Sequence, residues 1–297
     1  MTTGTDPLAP LAELPGVPEA VAEVRKAVDR LYGHRAMRRR AAEVTSESAL
    51  RGARASAALD GADWPLEEVR RRTDFGADPE ARTVGGALRI SAEAGQLLGV
   101  WRHSPVQVLA RLHLLAVGDG AAEAGRPRTA DEPADELFPL ELAMAEGVGA
   151  DAPPPQAVTL PSAPPAAEAA ARLDQLARLL ADRADRAPGQ GAPALVVASV
   201  VHGELLALRP FASHNGVIAR AAQRIVLIAE GLDPKAICPA EVGLAELGTV
   251  AYRQALQGYL SGTAEGMAAW VAHCGRALRL GVRESTAVCE AMQRGMV

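Results

Sequence analysis

Arg209-Pro-Phe-Ala-Ser-His-Asn-Gly-Val-Ile-Ala-Arg220 separates two apolar runs, and its reading decides the fold. Upstream, Pro193 to Leu206 is almost wholly apolar; downstream, Val217, Ala221, Ile225 and Ile228 recur at helical spacing. Pro210 cannot continue a helix, and Asn215-Gly216 suits the geometry of a tight turn, so the stretch reads as a loop entering a helix. A helix start exposes N–H groups that have no intrahelical partner, at the positive end of the dipole, which favours an anion. Many turns in helical bundles look the same and bind nothing, so on its own the pattern leaves both readings open.

Outward from this stretch the periodicity stays helical. Val21, Val24, Val28 and Leu31 predict a helix that opens at Pro18-Glu19 and stops at Gly33, and a second is expected over 35–59, ending at Asp60-Gly61. Residues 62–83 read as a short helix and a loop. Helices follow over 86–98 and 104–117, the latter with Ser104 as cap and Pro105 at its first position. The stretch 118–166, rich in Pro and Gly and including Pro153-Pro154-Pro155, is the long loop of the chain, and Gln156 to Leu160 within it suits a short strand or hairpin arm. Helices resume over 166–183, 193–206, 216–230, 239–260 and 263–280, with a last helical segment to Arg294.

Composition agrees with an all-α protein. Of 297 residues 48% are hydrophobic and only 3% aromatic, so the core must come from many small Ala, Leu and Val contacts between helices. The net charge of -5 disfavours a surface built as a whole to trap nucleic acid. Charge is segregated, however: the first quarter is basic, with Arg38-Arg39-Arg40 and Arg70-Arg71-Arg72, whereas Asp131, Glu132, Asp135, Glu136, Glu141 and Glu146 make a later stretch acidic. Solvated helix faces and an acidic loop account for both runs. Cys238, Cys274 and Cys289 lack metal-ligand spacing and fit free thiols in a reducing compartment, so the expected location is the cytoplasm. No apolar run is long enough to span a membrane, and the N-terminus lacks the pattern of a secretory signal.

The central stretch resembles the signature of the Fic family, His-Pro-Phe-x-Asp/Glu-Gly-Asn-Gly-Arg-x-x-Arg, at Pro210, Phe211, Asn215, Gly216 and Arg220 in one frame. The flanks Val200 to Leu205 and Ile225 to Leu227 also look like the family. The resemblance implies a Fic-type helical core over 96–280 with a loop or flap at 118–166, an N-terminal helical region over 1–95 and a C-terminal helical tail over 281–297, with a small β-hairpin in the flap. It implies ATP or another nucleotide as ligand, held by Asn215, Gly216, Arg220 and His214, and a protein target aligned at the flap.

Several chemical groups of that signature are missing. The family histidine removes a proton from the attacking hydroxyl; Arg209 stands in its place and stays protonated at physiological pH. Ser213 replaces the carboxylate that helps hold Mg²⁺, so Mg²⁺ binding is expected to be weak or absent. Val217 replaces the first phosphate-binding arginine. His214 stands at a family glycine, where an imidazole more readily caps a loop than acts as the base.

A distant segment supports the resemblance. Ser56-Ala-Ala-Leu-Asp60-Gly61 is similar to the family's Ser/Thr-x-x-x-Glu-Gly/Asn inhibitory motif, which implies a clamp between Asp60 and Arg220. The same pair can equally be a structural tie between the N-terminal helix and the core. Leu112-His113 looks like the helix before the flap, with His113 as a core residue, and Gly125-Arg126-Pro127-Arg128 like the turn after it. Trp64, Trp101 and Trp270 read as packing residues.

The function expected is a Fic-like protein without normal AMP transfer, acting as a regulatory or binding module around a vestigial nucleotide or anion pocket. The alternative is an active nucleotidyltransferase with altered chemistry, in which Arg209 neutralises a phosphate-containing donor. A nucleic-acid role for the basic first quarter is the third and weakest reading.

Overall fold

The computed structural model describes residues 6–76, 78–118, 121–130, 132–148, 156–184 and 190–295. Its helices are α1 (Val17–Tyr32), α2 (Ala41–Leu59), α3 (Leu66–Arg71), α4 (Pro79–Glu93), α5 (Leu98–Trp101), α6 (Pro105–Val117), α7 (Ala166–Ala184), α8 (Ala194–Leu208), α9 (Asn215–Ala229), α10 (Ala240–Leu247), α11 (Thr249–Leu260) and α12 (Ala264–Gln293). Short 3₁₀ turns lie at Ala9–Glu13, Arg35–Arg38 and Ala94–Leu97. The protein is all-α, and no strand forms among the described residues.

Two helices make the centre. In α8 every residue except Ala194 and Glu204 is buried, so it is apolar all round and lies inside the bundle. Two of its polar side chains are satisfied internally: Ser199 Oγ donates to Leu195 O at 2.8 Å, and Glu204 takes bonds from Arg172 and Tyr259. Helix α9 packs directly on α8 and is buried from Asn215 to Ile228. The 30-residue α12, about 45 Å long at the usual helical rise, runs along α1, α8, α10 and α11. Trp64, Trp101 and Trp270 are all buried and packed into the core.

Helix α2 packs against α4, α9 and α10 through small residues, among them Gly52, Ala53, Ser56 and Ala57. It ends where the sequence predicts. Gly61 takes φ +100, Gly61 N donates to Ala58 O and Ala62 N to Ala57 O, the paired bonds of a Schellman motif. This termination leaves Asp60 as the C-cap residue, at the end of α2.

The structure corrects several sequence expectations. The helix expected over 239–260 is two, because Gly248 at φ +81 turns the chain and brings its backbone against Leu142 and Met144. The helices expected over 263–280 and beyond are one continuous α12; Gly281 lies within it, and its missing side chain lets Pro239 O approach. The second helix starts at Ala41, after a 3₁₀ turn. Helix α4 starts at Pro79, because Asp78 Oδ1 accepts from Ala81 N at 2.8 Å and so caps it. Ser104 sits at the start of α6, yet its hydroxyl makes no capping bond. Residues 156–160 form no strand, none pairs with them among the described residues, and Gln156 N donates to the side chain of Gln254. Pro153-Pro154-Pro155 and Asp131 lie outside the described residues.

Candidate functional site

The motif loop connects α8 to α9 and is closed at both ends by side chains. Arg209 caps α8 with φ +43, and its guanidinium Nη2 donates to Pro161 O at 2.6 Å. Arg128 grips the same helix end: its Nε donates to Arg209 O at 2.8 Å, its Nη2 to Leu208 O at 3.4 Å and to Pro164 O, and its own amide to Pro210 O at 2.9 Å. A cation on the last carbonyls of a helix is favourable on dipole grounds as well. The sequence places Arg128 in a turn without showing that it holds the motif.

Asn215 closes the turn from inside. Its Oδ1 accepts from Phe211 N at 3.0 Å and its Nδ2 donates to Phe211 O at 2.8 Å. Phe211 stacks on His113 with ring centroids 4.3 Å apart. His214 takes φ +61 at the N-cap of α9, and its Nδ1 lies 2.9 Å from Ser213 Oγ.

Two carboxylates of the chain itself occupy the start of α9. Asp60 Oδ2 accepts from Val217 N at 3.0 Å, and Asp60 Oδ1 accepts from Arg220 Nη2 at 2.6 Å. Gly216 permits this approach, since a Cβ there would collide with Asp60 Oδ1. The second carboxylate is Asp135, whose Oδ1 accepts from Asn215 Nδ2 at 2.6 Å and whose Oδ2 accepts from Asn215 N at 3.2 Å. Burial, with the nearby Asp60 charge, pushes the Asp135 carboxyl up to about 6, against the opposing bonds from Asn215. In the sequence Asp135 is one member of an acidic run 80 residues from its partner, and nothing in that run singles it out.

Arg220 is 1% exposed. Its Nε donates to Ser56 Oγ at 2.8 Å and its Nη2 to Ser56 O at 3.0 Å, so the sequence-predicted group Ser56, Asp60 and Arg220 is brought together. Gly61 completes the turn that positions Asp60. Burial works against the Arg220 charge, but Asp60 and the adjacent Tyr252 outweigh it and raise the pKa. Tyr252 in turn bonds His202 Nε2 at 2.5 Å, a contact that apolar periodicity in α8 and α11 conceals.

The residues present do not fit a hard divalent cation at this loop. Ser213 Oγ is engaged with imidazoles, and the nearby carboxylates are bonded to Asn215, Val217 and Arg220. Elsewhere, arginines of the basic first quarter meet carboxylates: Arg54 meets Asp63 at 2.5 Å, Arg70 meets Glu47 at 2.5 Å, Arg72 meets Glu68 at 3.5 Å, and Arg51 pairs with Glu284. No helix among the described residues is long and apolar enough to cross a membrane. The three cysteines are buried and free.

No protein-family model matches the chain, and no curated protein matches it by sequence. Solved structures do resemble it. A Fic family protein from Desulfovibrio desulfuricans G20 superposes with TM-score 0.66 at 21% identity, covering 92% of this chain and 75% of that one. Fic-1 from C. elegans (aa134–508) gives TM-score 0.62 at 16% identity over 93% and 73% of the two chains. A Fic domain containing signaling protein from Bacteroides thetaiotaomicron VPI-5482 gives 0.59 at 12% over 92% and 98%. Agreement over nine-tenths of the chain at such low identity is agreement of architecture: this protein has the all-α fold of the Fic proteins.

Proposed function

We propose that the chain is a Fic family member that has lost AMP transfer and serves as a binding or regulatory module built around an occluded anion pocket. One observation carries the reading: the amides of Asn215 and Val217 at the start of α9, where a phosphate would sit, are bonded to Asp135 and Asp60. The rest of the loop agrees. Arg209 stands at the position of the general base but is a guanidinium directed at Pro161 O. Val217 contributes no charge, and Ser213 offers only a neutral oxygen.

Isothermal titration of the full chain with ATP, with and without Mg²⁺, tests the pocket. Wild type should bind weakly, and Asp135→Ala should bind more tightly, because one competing carboxylate is gone. A flat titration for both proteins removes the pocket from the reading. Incubation with labelled ATP and cell lysate should show no transfer. Labelling that disappears in Arg220→Ala would instead establish a working nucleotidyltransferase.

A further inference from the structure

Ser213 lies between two imidazoles that the occluded pocket does not use. Its Oγ is 2.9 Å from His214 Nδ1 and 3.4 Å from His113 Nε2. The direction of this chain of bonds follows from its far end. Gly125 N donates to His113 Nδ1 at 3.0 Å, and a backbone N–H can only donate, so Nδ1 carries no proton. Burial lowers the pKa of His113 to about 4, and the neighbouring His214 adds to the effect, so the ring is neutral at pH 7 and its proton is on Nε2. His113 Nε2–H therefore donates to Ser213 Oγ. Ser213 keeps its own proton to donate, and in the His214 tautomer with Nδ1 unprotonated that proton goes to His214 Nδ1, on a ring whose pKa burial lowers. The charged groups around the two rings are Glu123 and Arg126 near His113, and Asp60, Arg89 and Glu123 near His214.

Position favours reaction at this oxygen. Ser213 and His214 are partly exposed, so a small electrophile can reach the loop. His214 is held at φ +61 and His113 by its stack on Phe211, so both ring nitrogens are preset toward the hydroxyl. A hydroxyl that gives its proton to one neutral imidazole and accepts a bond from another has the elements of an activated nucleophile.

We propose that Ser213 is a nucleophile toward activated acyl and phosphonyl esters, with His214 Nδ1 as its general base and His113 as the residue that positions its oxygen. In the step, the Ser213 Oγ–carbonyl carbon bond forms and the bond from that carbon to the leaving oxygen breaks. The Ser213 proton passes to His214 Nδ1 and from there to the departing alkoxide. Water, deprotonated by His214, then cleaves the Ser213 ester and restores the hydroxyl. The proposal goes beyond nucleotide binding and stands whether or not the anion pocket binds ATP.

The probe is a fluorophosphonate, which phosphonylates activated serines with loss of fluoride, read by mass spectrometry of the intact chain and its peptides. Ser213 should be the modified serine, and Ser213→Ala should remove the label. His214→Asn keeps a residue that tolerates the left-handed backbone and removes the base, so labelling should slow about a hundredfold. Its circular dichroism and melting curve show whether that variant stays folded. The pH profile separates assisted from unassisted reaction independently of any variant: the rate should be flat between pH 7 and 9 and fall in acid as His214 gains a proton. A rate that climbs tenfold per pH unit through that range, or Ser213 labelled no faster than other serines, would overturn the proposal.

Discussion

Two carboxylates sit at one helix start, and they are held in opposite ways. Asp60 belongs to the end of a buried helix, is placed by a Schellman turn and meets the guanidinium of Arg220. Asp135 comes from a loop, meets a neutral asparagine and has its carboxyl pushed up to about 6 by burial and the Asp60 charge. Two amides of one helix start, Val217 N and Asn215 N, thus receive one charge that is matched and one that is not. A matched charge ties elements together, whereas an unmatched one can be removed with little loss.

Arg220→Ala should expose this difference most strongly. It leaves Asp60 and the Ser56 hydroxyl without their partner in a closed site, which costs about 3–5 kcal/mol. Urea denaturation would show the loss, and a change under 1 kcal/mol would mean that the pair is not a tie. Gly216→Ala is next, at about 1–3 kcal/mol, because the new methyl collides with Asp60 Oδ1. Combining it with Asp60→Ala should give less than the sum of the two single changes; strict additivity would place the strain elsewhere.

Asp135→Asn is the smallest change and carries the opposite sign. A carboxyl whose folded pKa is raised contributes stability fully below its unfolded pKa and loses it as pH rises through the folded value. Here that window runs from the ordinary carboxyl range near 3.8 up to about 6. The neutral asparagine should therefore raise the stability at pH 8 by on the order of 1 kcal/mol after solvent screening, read as a higher melting temperature, and change nothing below pH 4. A variant less stable at pH 8 would show that Asp135 is a matched charge after all.

The two carboxylates also differ in how far the sequence reveals them. Asp60 is legible because Ser56, Asp60 and Gly61 keep the spacing of the inhibitory motif they resemble, all within one helix and its end. Asp135 is not, since a loop has no periodicity and its target lies in another part of the chain. The same reason hides Arg128, whose side-chain grip on three carbonyls depends on where the loop lands. In the fold, helices with a polar face or a clear stop read correctly. Gly248 and Gly281 do not: one glycine breaks a helix and the other permits close packing, and only the neighbours, Leu142 and Pro239, decide which. His113, Ser213 and His214 were each visible, but their convergence was not, because 100 residues separate His113 from Ser213.

The Asp60–Arg220 bond joins residues 160 positions apart. Closing so long a loop is slow, and until it closes the start of α9 lacks the Asp60 carboxylate. The motif is then among the last parts of the molecule to order during refolding. Pulse-labelled hydrogen exchange would show this as late protection of the Val217 amide, after α8 and the body of α9 have already become protected.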